Sequence, residues 1–439
     1  MPELSRRLGT FDAVVIGLGS MMGAGVFAAF GPAARAAGAG LLIGLALAAV
    51  IAYFNATASA QLAAVYPTSG GTYIYGRERL GPWWGFTAGW GFVVGKTASC
   101  AAMALTIGTY ALPGPWWAQR LIAVVAVIGL TALNYRGVTK TAGLARILVA
   151  CTLVALAAVV IAITIAGVRP SNLTGASAWS SVTVYGVLQS AGLLFFAFAG
   201  YARIATMGEE VRDPGRSIPR AIIVAFGIAV VVYLVVGVAV LLAAGPERLA
   251  RSSAPLAEAL RAVGAAPLLP VVAVGATLAS LGALLALIAG IGRTTLAMAR
   301  HRDLPGWLAA VHPRYQVPNH AEIALAVVVC VLVTTVDLRG VIGFSSFGVL
   351  IYYAIANASA YTQPATQPPG DDAGREAARG GGGLGTSWPR VLNVCGVIGC
   401  LLLVATLPWQ SVVVGLGVFA IGLTGRAIAQ RSLTNPRHD

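Results

Sequence analysis

From Ala221 to Ala244 the chain carries no charged residue, and that one run limits what it can fold into. A stretch of ~20 apolar residues is long enough to cross the hydrocarbon of a bilayer as a helix. The whole chain holds twelve segments of this kind. Only 10% of its 439 residues are charged and 58% are hydrophobic, where a soluble globular chain carries about 25% charge. Little is left for a water-soluble domain. The expected class is an all-α polytopic membrane protein with twelve transmembrane helices.

The formal net charge of +14 then has a topological reading. With the N-terminus inside, 20 of the 29 Lys and Arg residues fall in cytoplasmic loops or helix ends, seven fall outside, and two, Lys96 and Arg203, lie within spans. That bias is the positive-inside rule, and it places both termini in the cytoplasm of a cell whose plasma membrane holds the chain. The cations are scattered and make no stripe, so the lipid bilayer is the expected large partner and nucleic acid is not. Met1 to Gly9 reads as a short basic lead into the first span, without a cleavage site. The five cysteines all sit in apolar segments, an odd number of buried thiols that argues against a disulfide framework.

Order along the chain divides it into parts. A cytoplasmic N-terminus, 1–10, precedes five spans over 11–167. An outer loop rich in Ser and Thr leads to five more over 184–362. The Pro- and Gly-rich stretch 363–387 reads as a disordered cytoplasmic linker, and two final spans over 388–430 precede a cytoplasmic tail, 431–439. An inner loop runs from Tyr66 to Gly81, and a short outer helix is expected from Pro255 to Val263.

The first span contradicts its own apolarity. It carries Gly17, Gly19, Gly23, Gly25 and Gly31, each of which weakens a helix by ~1 kcal/mol relative to Ala. A helix that opens in mid-membrane frees N–H and C=O groups for a ligand. Close helix packing through small residues is the competing reading of Gly23-Ala24-Gly25. The sixth span is interrupted in the same way from Ala197 to Gly200. Ten spans that begin twice with a broken helix have the pattern of an inverted five-plus-five repeat, with two parallel six-span halves as the alternative on count. A half-helix N-terminus suits a carboxylate, and a half-helix C-terminus suits an ammonium group. Paired breaks of this kind suit an amino acid backbone without any charged side chain.

Three stretches together carry a family resemblance. They are Gly17 to Phe27, ending Gly-Ala-Gly-Val-Phe; the loop Pro67-x-Ser69-Gly70-Gly71-x-Tyr73-x-Tyr75-x-Arg77; and Phe195-Phe196-Ala197-Phe198-Ala199-Gly200 followed by Glu209-Glu210-Val211-Arg212-Asp213-Pro214. A fourth runs from Arg293 through Ala297-Met298-Ala299-Arg300 to Leu304-Pro305. The chain resembles the amino acid–polyamine–organocation transporter superfamily over its first ten spans, and within it the bacterial amino acid permeases and the cationic amino acid transporter branch. The resemblance implies a leucine-transporter-type fold, a five-plus-five inverted repeat plus two extra helices, and secondary transport of amino acids by alternating access.

It also implies a substrate site. Backbone around Met22, Gly23, Ala24 and Gly25 would receive the substrate carboxylate, and backbone around Phe196, Ala197, Ala199 and Gly200 the ammonium group. Phe198 and Tyr201 would shape the side-chain pocket, while Phe195 reads as a core aromatic. Relatives often carry an acidic residue where this chain has Ala202, followed by Arg203, and some proton-coupled relatives carry a Lys where this chain has Ala150-Cys151-Thr152. Instead Lys96 stands within segment three. An intramembrane cation is expensive and usually functional, so Lys96 is a candidate proton-responsive group or a contact for an anionic side chain. A structural role, bonded to carbonyls, is its alternative. With Lys96 present and no acid in segment six, a neutral or acidic substrate is favoured over a cationic one, and protons are the candidate coupling ion.

Arg77, Arg203, Glu209 and Glu210 are the candidate charges of the inner mouth, either as gate ion pairs or as ordinary interfacial charges. His301, His312, His320 and His438 lie in inner loops or the tail, and no pair of carboxylates recurs within a span. No catalytic residue, metal set or cofactor is therefore expected. An amine exchanger or polyamine-type transporter of the same fold, and a channel or non-transporting receptor, stay open as alternatives.

Overall fold

The computed structural model describes residues 8–66, 70–136, 142–180, 182–205, 207, 210–363 and 389–434. Beyond Gln363 the expected linker lies outside the described residues, as do residues 1–7, Glu209 and residues 435–439. Among the described residues everything regular is helical, apart from one parallel bridge between Leu8 and Val211.

The first expected span is three helices: α1 (Thr10–Met21), α2 (Ala24–Ala28) and α3 (Phe30–Ala37). Then come α4 (Leu41–Val65), α5 (Thr72–Leu80), α6 (Pro82–Ala111), α7 (Trp116–Tyr135) and α8 (Ala142–Ala166). The second half holds α9 (Ser171–Thr174), α10 (Ala176–Trp179), α11 (Val184–Phe198), a 3-10 turn (Ala199–Tyr201) and α12 (Ala202–Ala205). It continues with α13 (Pro214–Arg251), α14 (Pro255–Ala262), α15 (Leu269–Arg300), α16 (Asn319–Thr335) and α17 (Leu338–Tyr361), and the chain ends with α18 (Arg390–Thr406) and α19 (Trp409–Thr434). Among the described residues, ten helical stretches are long and apolar enough to cross a membrane, and α16 and α18 are apolar but shorter. The chain is a multi-pass helical membrane protein.

Several connectors are more ordered than their sequence suggests. The connector after α4 contains α5, bracketed by Gly71 at φ 55 and Gly81 at φ 104, backbone that glycine adopts without a Cβ penalty. Tyr73 and Tyr75 of α5 are fully buried and pin it to the bundle. The connector between α8 and α11 includes the one-turn helices α9 and α10. At the chain's end α19 continues to Thr434, past the expected start of the tail at 431, because backbone hydrogen bonding outlasts the apolar pattern.

The bundle has a packed centre and a lipid-like rim. In α6 89% of the most apolar window is buried, against 17% in α7. Glycines let α6 and α17 approach closely: a Cβ on Gly348 would meet the Gly91 oxygen at 2.7 Å and the Gly95 Cα at 2.9 Å. On the rim, Leu121, Val125 and Ile128 of α7 and Ile147, Val154, Ile161 and Ile165 of α8 are exposed at helical spacing. Apolar stripes of this kind belong in hydrocarbon rather than water.

Candidate functional site

The glycine-rich stretch breaks where its composition is weakest. Helix α1 ends at Met21, the Met22 amide still donates to the Leu18 carbonyl at 2.7 Å, and Gly23 at ψ −135° leaves the helix before α2 restarts at Ala24. As at any helix start, the first amides of α2 lack an intrahelical acceptor, and Gly23 brings no side-chain cap. The matching interruption is milder: α11 ends at Phe198, and Ala199, Gly200 and Tyr201 tighten into a 3-10 turn before α12.

These two interruptions lie against one another. A Cβ on Gly25 would stand 2.6 Å from the Ala197 Cα, and one on Gly200 would overlap the backbone of Ser20 and stand 2.5 Å from the Met21 nitrogen. Two backbones approach this closely only where glycine removes the side chain. On the other flank, a Cβ on Gly23 would sit 2.8 Å from the Ala283 Cβ of α15 and 3.0 Å from the Met103 Cε of α6.

The terminal carbonyls are supplied with donors from neighbouring helices. The Tyr233 hydroxyl of α13 lies 2.7 Å from the Met21 oxygen and 3.0 Å from the Ala197 oxygen. With one proton to give, it serves both break carbonyls as a shared donor. The Ala199 oxygen accepts from Lys96 Nζ at 2.8 Å and from the Tyr353 hydroxyl at 3.2 Å. The Tyr110 hydroxyl of α6 donates to the Phe27 oxygen of α2 at 2.8 Å. Every one of these groups is buried, Lys96 included, so each bond replaces one that water would otherwise make.

Met22, Gly23, Ala24 and Gly25 are thus brought to the same place as Ala197, Ala199, Gly200 and Lys96. The aromatic residues are sorted more finely. Phe195 packs edge-on against Tyr353 at 5.8 Å, within the core. Phe198 faces Tyr233 at 5.0 Å and Phe226 at 5.8 Å, Tyr201 stacks on Tyr353 at 4.9 Å, and Phe196 is buried.

The charges of the expected inner mouth are wired differently from the grouping that sequence suggests. Arg77 pairs with Asp303, Nη1 to Oδ2 at 3.2 Å. Glu210 sits between Arg293 at 2.9 Å and Arg203 at 3.8 Å, and Glu209 lies outside the described residues. Asp303 is the centre of its own buried cluster, accepting from the Tyr73 hydroxyl at 2.8 Å and pairing with Arg426 at 2.8 Å. Burial, reinforced by the bond to Asp303, pushes the Tyr73 phenol above its ordinary range. Glu322 of α16 is also buried, with Oε1 accepting from Asn134 Nδ2 of α7 at 2.7 Å.

Tyr233, Tyr353, Tyr110, Asp303 and Arg426 are the residues that sequence reasoning missed. The available signal was faint: Tyr233 is the one residue with a hydroxyl in the uncharged run Ala221 to Ala244. Asp303 follows Arg300-His301-Arg302 and looks like surface punctuation.

Comparison with known proteins agrees with this architecture. A family model described as "Amino acid permease" matches residues 8–422. An uncharacterized transporter of Mycobacterium tuberculosis is 58% identical over 97% of this chain and 92% of its own length. The branched-chain amino acid permease of Bacillus subtilis is 26% identical over 96% of this chain and 92% of its own. A chloroplastic cationic amino acid transporter of Arabidopsis thaliana is 26% identical over 93% of this chain and 71% of its own. With nearly its whole length matched, broken helices included, the chain belongs to the amino acid permease family of membrane transporters.

Proposed function

We propose that this permease is a secondary transporter that carries an amino acid across the plasma membrane by alternating access, with the two paired breaks as its substrate site. The observation that carries the reading is the backbone contact of Gly25 with Ala197 and of Gly200 with Ser20. The amides that open α2 at Ala24 and Gly25, beside Met22, would take the carboxylate, and the carbonyls around Phe196, Ala197 and Ala199 the ammonium group. Phe198 and Tyr201 would shape the pocket for the side chain.

The proposal includes twelve spans, counting the shorter α16 and α18, arranged as two inverted five-span halves plus α18 and α19. In support, α1–α2 and α11–α12 each open a half with an interruption. The positive-inside bias puts both termini in the cytoplasm. The Arg77–Asp303 pair and the Arg203–Glu210–Arg293 chain then stand at the inner mouth and serve as its gate.

Lys96 narrows the substrate class. Its ammonium already rests on the Ala199 carbonyl, so a cationic side chain would meet a like charge in a site of low dielectric. Neutral or acidic amino acids are favoured, in line with the branched-chain substrates in the name of the Bacillus relative. Protons are the proposed coupling ion, with Lys96 the group that responds to them.

Counterflow in proteoliposomes tests the whole reading. Vesicles preloaded with one amino acid should accumulate the labelled form saturably, at two pH values, and Lys96→Ala should alter which amino acids compete. Failure of every amino acid and amine to exchange would overturn it, and unsaturable flux would point to a channel.

A further inference from the structure

Two cavities lie side by side between α19 and the bundle. One, of about 570 Å³, has Phe86, Trp90, Arg302, Asp303, Gly425 and Arg426 in its wall. Its neighbour, of about 510 Å³, is apolar, with Val94, Val328, Leu332 and Val414 among its lining. Trp90 and Leu304 belong to both walls, so the polar chamber adjoins the apolar one.

The polar chamber carries unmatched positive charge. Asp303 already faces Arg77, Arg426 and Tyr73. The side chain of Arg426 is 1% exposed; it gives Nη2 to Asp303, gives Nη1 to the Pro82 oxygen at 2.8 Å, and lies over the rings of Trp83 and Phe86. Its Nε is buried with no hydrogen-bond partner. Two guanidinium groups on one carboxylate leave the cluster net positive, and an anionic oxygen in the chamber complements that charge. Arg302 brings a second cation to the same wall, exposed and held at φ 60.

We propose that the double cavity is a binding site for an anionic phospholipid of the surrounding bilayer, with its phosphate between Arg302 and Arg426 and an acyl chain in the apolar chamber. A free inorganic anion uses only the polar half, and a lipid without net charge leaves the excess positive charge of the arginines unmatched. An anionic head on a hydrocarbon tail uses both. The rim location supplies the ligand: Val328 and Val414 of the apolar wall, like Ile421 of the polar one, are exposed to the surroundings of the bundle. The bound lipid wedges the lightly packed α19 against α6 and α16. This site stands apart from the paired breaks but shares Asp303 with the proposed gate, so the lipid effect is read from unfolding rather than from transport.

Thermal unfolding of the purified full chain in neutral detergent tests it, with phosphatidylglycerol, phosphatidylcholine of the same acyl chains, or inorganic phosphate added. Phosphatidylglycerol should raise the midpoint by several degrees, and the other two should not. Two variants localise the effect. Arg302→Asn removes the charge while tolerating the left-handed backbone, and Gly425→Phe fills the chamber from a position with nothing within 4 Å of its Cβ. Both should keep the parent's midpoint without lipid and lose most of the phosphatidylglycerol shift. Equal shifts from both lipids, a shift from phosphate alone, or a full shift in both variants would overturn the proposal. The comparison of lipids on the unmodified chain decides it even where a variant fails to fold.

Discussion

The ammonium of Lys96 stands 2.8 Å from the carbonyl oxygen of Ala199, at the turn that interrupts the sixth span. A side chain of α6 is thereby bonded to backbone at the very place where a substrate's own ammonium is proposed to bind. Lys96→Met keeps the length and apolar stem while removing the charge. The Ala199 oxygen retains Tyr353 as donor, so unfolding should shift by ~1 kcal/mol or less. Counterflow of acidic and neutral amino acids should fall by ~10-fold or more, the equivalent of ~1.4 kcal/mol. Unchanged counterflow with unchanged competition would remove Lys96 from the site.

Gly25→Ala tests the contact between the breaks. The added methyl carbon overlaps the Ala197 Cα at 2.6 Å, and backbone cannot rotate away as a side chain does. Destabilisation of ~1–3 kcal/mol is expected, together with loss of transport. Gly227→Ala in α13 is the control, since nothing lies within 4 Å of its Cβ. It should hold or raise the melting temperature, because Ala favours helix by ~1 kcal/mol over Gly. Equal behaviour of the two variants in melting and transport would refute the packing account.

Tyr233→Phe removes one hydroxyl and leaves two buried carbonyls, Met21 and Ala197, without that donor. The ring still packs on Phe198, so the loss is polar rather than steric. A cost of ~1–3 kcal/mol in unfolding free energy follows. Denaturant or thermal melts of the purified protein measure it, and a cost near zero would show that the hydroxyl is dispensable.

Asp303→Asn leaves Arg426 buried beside a neutral group. Breaking a buried ion pair from one side costs ~3–5 kcal/mol, more than the exposed pair Arg261–Glu258 can contribute. The sharper measurement is a double-mutant cycle with Arg426→Met. Removing both charges should recover much of the loss, and strictly additive penalties would contradict the pairing.

The fold was legible in sequence wherever a residue was anomalous on its own. Glycines in an apolar span stand out without knowledge of their neighbours, and Gly23, Gly25 and Gly200 do mark the interruptions and the place where they touch. What remained hidden were pairings decided by which helices meet. Arg77 has several loop carboxylates to choose from, and its selection of Asp303 depends on how α5 packs against α6 and α17. Tyr233 reads as one more aromatic in a hydrocarbon run, because the partners of its hydroxyl are main-chain oxygens with no signature in side-chain pattern. The connector after α4 concealed α5 for a related reason: its helix is bounded by glycine backbone and held by buried tyrosines rather than by an apolar stripe.

The small bridge at the start of the described chain has a mechanical consequence. Leu8 donates to the Glu210 oxygen and accepts from the Arg212 amide, so the entrance to α1 is laced to the strand of chain that leaves α12. The two interrupted helices are therefore yoked at two points, once at the breaks through Tyr233 and once at this lacing. A pull on either is felt by both. A load applied at Leu8 is therefore borne by both interrupted helices.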